Sequence, residues 1–355
     1  MGETKPLLAV LLIQVIYAGY FLLTKLAFDV GMNTFVFVFY RQASATLFLA
    51  PIAIFMERKS APPLSFSIFI KIFMLSLFGI TMSLDIVGVG LKYTSASLGA
   101  ATSNTLPVIT FFLAVLLRME RVNISTSPGI LKVCGVVLCM GGVATIAFFR
   151  GPFLKILVHH HLVHNHLTLE SRTIPSPNAW IMGVFLMLLA NLFWAFWLVL
   201  QGRVLKHYPS KLLLTTLQCF LSTIQSFIVA VAFARDPNEW QLGWNIRLLS
   251  VAYCGIVVTG VTFYLQTWVV EKKGPVFLAM TTPLIMVFTI VLSAFILGEI
   301  ISFGSVLGAI LLVGGLYFVL WGKTKEAKMA NLASQCSLGD AEKAWGGSKE
   351  EIIDN

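Results

Sequence analysis

The residues of this chain that could do chemistry are few, and most lie inside long apolar runs, where a polar group is costly. Two prolines stand in polar company, in Asn104-Thr105-Leu106-Pro107 and in Thr281-Thr282-Pro283. A proline inside a helix removes a backbone hydrogen bond and kinks or loosens the helix, which would free carbonyls near Ser103 and Ala279. Backbone and side-chain groups exposed in this way can bind a polar solute. The plainer alternative is a static kink, because proline is common in membrane helices. A second group comprises Gln14, Tyr17, Tyr20, Asn191, Trp194, Trp197, Gln201, Tyr264 and Gln266. Tyr17, Asn191 and Trp194 fall near the middle of their runs, where a polar group needs a partner or water. Lining a cavity satisfies that need; gluing helices together or forming an interfacial aromatic belt is the competing use, and it suits Gln201 and Trp197. No set combines an acid, a base and a nucleophile, so the implied chemistry is binding and not catalysis.

Arg41 and Asp85 are the two charges least explained by helix ends. Arg41 lies about eight residues into one apolar run and Asp85 about seven residues before the end of the next, so at ~1.5 Å per residue both sit roughly 10 to 12 Å below one surface. Charges at such depth pair or face water. Two readings follow: an ion pair serving gating or structure, or an Arg41 that reaches outward while Asp85 bonds hydroxyls such as Ser83. An unpaired Asp85 in a wet cavity would be the candidate for proton coupling.

Other features carry less. His159, His160, His161, His164 and His166 form one tract, but metal-dependent membrane enzymes need several separated histidine clusters and the remaining histidine is His207, so no metal is assigned. Gly322-Lys323-Thr324 imitates the end of a phosphate loop without its first glycine, which leaves ATP and any other cofactor unsupported. Four of the five cysteines lie in apolar runs and form neither a disulfide framework nor a CxxC pair. The amino-terminal residues match a myristoylation start poorly, because Pro6 stands where Ser or Thr is wanted. Asn123-Ile124-Ser125 is a formal glycosylation sequon on the side of the membrane where it stays bare. The net charge of +9 is spread over short loops and does not form the basic face that nucleic acid requires.

The elements that must position these residues follow from composition. With 57% hydrophobic and 12% charged residues the chain belongs in a lipid bilayer, where a span takes about 20 apolar residues and must be helical. Ten spans are expected, at 6–29, 33–56, 66–91, 95–118, 127–149, 178–202, 210–234, 246–270, 275–298 and 301–322. Fifteen loop Lys and Arg residues fall on the side of the amino terminus and seven on the other, which by the positive-inside rule puts both termini in the cytosol. The polar stretch 323–355 then forms a cytoplasmic tail, disordered for the most part beyond Ala327, and 150–177 a loop on the opposite side.

The chain also repeats itself. A shift of 179 positions places Thr110 on Thr289, Glu120 on Glu299, Gly129 on Gly308 and Gly135 on Gly314, and a shift of 177 places Gln14 on Asn191, Tyr17 on Trp194 and Tyr20 on Trp197. Five spans per half is an odd number, so the halves 6–149 and 178–322 enter the membrane from opposite sides as an inverted repeat, with a solute site near the midplane. Small residues at Gly304 and Gly308, and at Ser125 and Gly129, suit packing faces within the fold, with a homodimer seam as the second reading.

Several motifs together resemble a known family: Phe39-Tyr40-Arg41-Gln42, Gly90-Leu91-Lys92-Tyr93-Thr94-Ser95-Ala96, Leu106-Pro107 through Thr110-Phe111 to Arg118-Met119-Glu120, Lys273-Gly274-Pro275-Val276, and Leu297-Gly298-Glu299. Over residues 5 to 325 the chain is similar to the plant nodulin-like, Walls-Are-Thin-related (UMAMIT) transporters of the drug/metabolite transporter superfamily, with EamA domains. The resemblance implies an all-α integral membrane protein with two five-helix EamA-type repeats around a central cavity. It further implies a secondary transporter or facilitator of small organic solutes, amino acids first and auxin or another organic anion second, with a proton as a candidate co-solute. The plasma membrane is the first expectation for location and the vacuolar membrane the second. The rival classes are a membrane enzyme and a scaffold or signalling protein working through its tail.

Overall fold

A computed structural model describes residues 4–57, 64–93, 96–119, 126–149, 153–154, 177–296 and 301–303, with separate positions between 307 and 329. Apolar segments in lipid must satisfy their own backbones, and the described chain is helical almost throughout. The helices are α1 (Thr4–Asp29), α2 (Thr34–Glu57), α3 (Phe66–Met74), α4 (Ser83–Tyr93), α5 (Ala96–Ser103), α6 (Leu106–Leu116), α7 (Ser127–Phe148), α8 (Pro177–His207), α9 (Lys211–Phe233), α10 (Ile246–Ala252), α11 (Thr262–Lys273), α12 (Pro275–Met280) and α13 (Pro283–Ile296). A π-helical stretch, Leu75–Met82, joins α3 to α4, and another, Tyr253–Val261, joins α10 to α11.

Among the described residues six helices are long and apolar enough to cross a membrane: Lys5–Asp29, Thr34–Glu57, Phe66–Tyr93, Ile181–His207, Lys211–Phe233 and Ile246–Lys273. Leu106–Leu116, Ser127–Gly142 and Pro275–Thr289 are shorter apolar helices. The segment expected to start a span at 301 starts differently. Ile301–Ser302 is extended and pairs antiparallel with Phe153–Leu154, and helix resumes at Phe303. The His159 to His166 tract, Glu120, Glu299, Gly304, the 123–125 sequon and the tail from 330 lie outside the described residues.

Contacts between loops sort into two ends. At one end Lys25 pairs with Asp29 at 3.1 Å and donates to the Leu91 carbonyl, Arg247 donates to the Val30 carbonyl, and Tyr40 donates to the Trp240 carbonyl. At the other end Glu57 accepts from Ser210 and from the amides of Leu212 and Leu213, Lys211 pairs with Glu271 at 2.9 Å, Arg203 donates to the Leu117 carbonyl, and Lys132 pairs with Glu326. Apart from Lys25–Asp29, which lies within α1, each of these contacts joins segments that the Lys and Arg count puts on the same side.

The duplication is visible in irregularities as well as in sequence. π-Helical stretches are rare, yet Tyr253 follows Leu75 by 178 positions and Val261 follows Met82 by 179. Two helices are broken at matching places: α5 gives way to α6 at Asn104-Thr105, and α12 to α13 at Thr281-Thr282. Each break precedes its proline by one or two residues, because proline fits the first turn of a new helix, where its missing N–H is not needed. The second break differs from expectation in one detail: the Ala279 carbonyl is not free, since the Thr282 amide donates to it at 3.1 Å.

Many polar side chains turn inward to join the buried apolar core, while other apolar side chains face outward. Gln42 donates to Ser222, Thr46 meets Thr223, and Thr81 bonds both Ser222 and Gln225, all between α2, α9 and the first π-helical stretch. Leu8, Leu12, Phe55, Phe227, Ile228 and Val231 are exposed on outer faces, the pattern of a protein solvated by lipid. The last helix, formed by the helical positions between 307 and 329, packs on α7 through Gly135 and Gly315, where a Cβ on Gly135 would lie 2.6 Å from the Gly315 carbonyl oxygen. That close approach is a small-residue seam among the described residues, and the Gly304/Gly308 pair lies partly outside them.

Candidate functional site

The cavity lies where the two broken helices meet α1, α2, α4, α8 and α11, and it measures about 80 Å³. Its wall draws on both halves of the chain. From α1 come Gln14, Tyr17 and Phe21, at the i, i+3, i+7 spacing of one helix face; from α8 come Asn191, Trp194 and Leu198, each 177 positions later. Ser103 and Leu106 at the first break recur as Thr282 and Ile285 at the second, 179 positions later, and Val87 recurs as Gln266 at the same interval. Tyr20, Arg41, Ser83, Leu84, Leu278 and Ala279 complete the wall.

Hydrogen bonds hold the wall across the halves. Gln14 donates through Nε2 to Thr281 Oγ1 at 2.8 Å, which ties α1 to the second break. Asn191 does the equivalent for α8, donating to the Thr102 carbonyl at 2.8 Å and to Thr105 Oγ1 at 3.3 Å, beside the first break. Gln266 donates to the Tyr17 hydroxyl at 3.2 Å, and its Oε1 is buried without a partner. Thr102 and Thr105 turn their hydroxyls back on the Gly99 and Thr102 carbonyls. The breaks are thus stitched locally by hydroxyls, and the amides of the neighbouring helices close over them.

Aromatic rings form the apolar part of the site. Trp194 lies 4.8 Å from Trp197 and 5.5 Å from Phe263 between ring centres, and Tyr17 meets Tyr20 edge-on at 6.0 Å. Amides, hydroxyls and one guanidinium set among rings can hold a small solute with a polar head and an apolar body.

Of the residues singled out in the sequence, Gln14, Tyr17, Asn191, Trp194, Gln266, Thr282 and Arg41 line the cavity. Thr105 and Thr281 stand behind the wall and position Asn191 and Gln14. Pro107 and Pro283 start α6 and α13 without lining the cavity. Asn104 is turned away, fully buried, with Nδ2 3.2 Å from Met286 Sδ. Tyr264 packs against the apolar core. Tyr20 and Ser103, also noted in the sequence, line the cavity too, and Phe21 and Leu198 are cavity residues that the reading of single polar positions passes over, though the i+3, i+7 spacing from Gln14 and from Asn191 points to them.

Arg41 and Asp85 do not pair, since among the described residues no Asp or Glu oxygen lies within 4.0 Å of Arg41. Nor does Arg41 reach outward. It is 1% exposed, its Nε donates to Thr259 Oγ1 at 2.6 Å, and its guanidinium carbon sits 4.7 Å from the centre of the Tyr20 ring. Asp85 is buried in α4 with Oδ1 unpartnered, and Ser83 spends its hydroxyl on the Ala190 carbonyl. The equal depth expected of the two charges therefore does not make them a pair. Among the described residues no three His, Cys, Asp or Glu side chains gather as a metal site.

A duplicated helical bundle of apolar outer surface, with broken helices around a mixed polar and aromatic cavity, defines a multi-pass membrane protein built to receive a small solute. The EamA-like transporter family matches residues 4–148 and 181–321, the two halves described above. The chain is 57% identical over 332 residues to WAT1-related protein At5g64700 of Arabidopsis thaliana, covering 92% of each chain, and 47% identical to WAT1-related protein At1g43650 of the same plant over 93% and 94%. It is 35% identical to Protein WALLS ARE THIN 1 of Arabidopsis thaliana, over 94% of this chain and 87% of that one. A crystal structure at 14% identity superposes with a TM-score of 0.65 over 92% of this chain and 100% of its own, a likeness of fold alone. The chain belongs to the plant WAT1-related branch of the EamA-like transporter family.

Proposed function

We propose that this protein is a secondary transporter or facilitator of small organic solutes, amino acids first, that works by exposing the central cavity alternately to the two sides of the membrane. The observation that carries the reading is the shared wall: Gln14, Tyr17 and Phe21 of the first half face the same space as Asn191, Trp194 and Leu198 of the second. A site built from matching faces of two repeats has nearly equivalent ways of rocking one half against the other, which is what alternating access needs. In the proposed architecture the halves 6–149 and 178–322 are inverted repeats of five helices, with both termini cytosolic. The two-ended sorting of loop contacts supports this.

The proposal extends to Asp85, a buried carboxyl with no cation partner that stands behind the cavity wall next to Leu84 in α4, as the group that exchanges a proton with the solute pathway. Auxin or another aromatic organic anion is the second substrate reading, favoured by the rings of Trp194, Tyr17 and Tyr20. The test is uptake by proteoliposomes holding the purified full chain, with a panel of amino acids and indole acetate, with and without a pH gradient. Accumulation or exchange of at least one solute above empty vesicles is expected; none for any solute would defeat the reading.

A further inference from the structure

We propose that Arg41 is the carboxylate-binding residue of the cavity, so that the solute presents a carboxylate to its guanidinium and an apolar or aromatic body to the rings opposite. This deepens the transport reading and rests on it.

The argument starts from charge. A guanidinium stays protonated in proteins, and burying it inside a membrane segment is costly unless an anion or a dense set of acceptors compensates. Arg41 is among the largest fully buried side chains, yet its identified partners are neutral: Thr259 Oγ1 and the face of Tyr20. Its Nη2 is buried with no acceptor. The acids of neighbouring elements are otherwise placed, since Asp29 pairs with Lys25 and Asp85 is outside ion-pair range. No acidic residue lines the cavity.

The second half of the chain shows what this position needs for packing alone. Tyr20 and Arg41 recur 177 positions later as Trp197 and Gln218, and there the indole donates to the amide Oε1 at 3.3 Å. A neutral amide therefore fills the equivalent place beside an aromatic ring. The positive charge is extra to the architecture, and it lies in the cavity wall.

A planar fork with a free N–H edge matches a carboxylate better than any neutral group does. A second buried, unpartnered atom of the wall complements it: Gln266 Oε1 is an acceptor without a donor, suited to an ammonium or amide N–H of the same solute. Trp194 and Leu198 offer the surface for the side chain. An α-amino acid satisfies both ends, and an aryl acetate satisfies the guanidinium end.

The decisive comparison removes the carboxylate from the solute and leaves the protein intact. Proteoliposomes holding the wild-type full chain are given tryptophan and tryptophan amide, and indole acetate and indole acetamide. At least one acid should be carried at ten or more times the rate of its amide. Arg41→Gln, which copies the residue of the other half, should lose that acid's uptake at least tenfold while eluting as a folded protein, and Arg41→Lys should recover part of it. Uptake of an amide as fast as its acid, or acid uptake unchanged in Arg41→Gln, overturns the assignment and leaves the transport reading standing. Uptake of none of the four by wild type, where other solutes in the wider panel are carried, overturns the assignment alone; uptake of nothing at all overturns both.

Discussion

Arg41 lies with its guanidinium carbon 4.7 Å from the centre of the Tyr20 ring, and at the two positions 177 residues later Trp197 donates a hydrogen bond to Gln218. A ring beside a polar partner thus occurs twice in different geometry, once charged with the guanidinium over the ring face and once neutral through an indole N–H. This asymmetry is what a duplicated cavity needs if it is to favour one orientation of a polar solute.

Asn191 both faces the cavity and anchors the first helix break through the Thr102 carbonyl. Asn191→Leu removes a donor and leaves that carbonyl facing an apolar side chain, a loss of about 1 to 3 kcal/mol for an unsatisfied buried group. Uptake should fall below a tenth of wild type with surface expression retained, measured in parallel by labelled uptake and surface biotinylation. Normal uptake would move the site elsewhere.

Asp85 and Arg41 are unpaired, so their removal should be independent. The losses of stability in Arg41→Ala and Asp85→Ala should add to within about 0.5 kcal/mol in the double variant. Thermal unfolding of the three purified variants reads this directly. If Asp85 exchanges the coupled proton, Asp85→Asn should keep uptake at equal pH and lose its acceleration by an acidic exterior. A pH response equal to wild type removes Asp85 from the pathway.

Gly135 has no room for a side chain, since its Cβ would lie 2.5 Å from Val319 Cγ2 and 2.6 Å from the backbone oxygen of Gly315. Gly135→Val should force α7 from the last helix and lower the yield of folded protein several-fold. Gly141, with nothing within 4 Å of the equivalent position, is the control, and Gly141→Ala should behave as wild type in fluorescence-detected gel filtration.

The two-ended arrangement of loops predicts labelling. In a background without native cysteines, cysteine at Lys206 or Glu326 should react from the cytosolic side, and cysteine at Asn238 or Trp244 from the other. Reaction of Lys206 and Trp244 positions from the same side would contradict the alternation of helices between the two ends.

Much of this was legible in residue types. Long apolar runs without charge can only be helices in lipid, because each N–H and C=O must find a partner within the segment. The runs predicted at 6–29, 33–56 and 210–234 appear as α1, α2 and α9 within a residue or two. The helix breaks were readable from Pro107 and Pro283, although the chain parts one or two residues earlier, at hydroxyl residues that close the preceding turn. The π-helical stretches were not readable, because Leu75–Met82 and Tyr253–Val261 contain no residue that forces a wider turn.

The sequence by itself determined that the chain repeats itself and the order of its apolar segments, because composition and spacing set these one helix at a time. The tertiary structure alone decided which polar groups meet. Rotation of each helix about its axis, set by side-chain packing against several neighbours at once, brought Gln14 to Thr281 and Asn191 to Thr102, turned Asn104 toward Met286, and left Arg41 beside Tyr20 instead of Asp85.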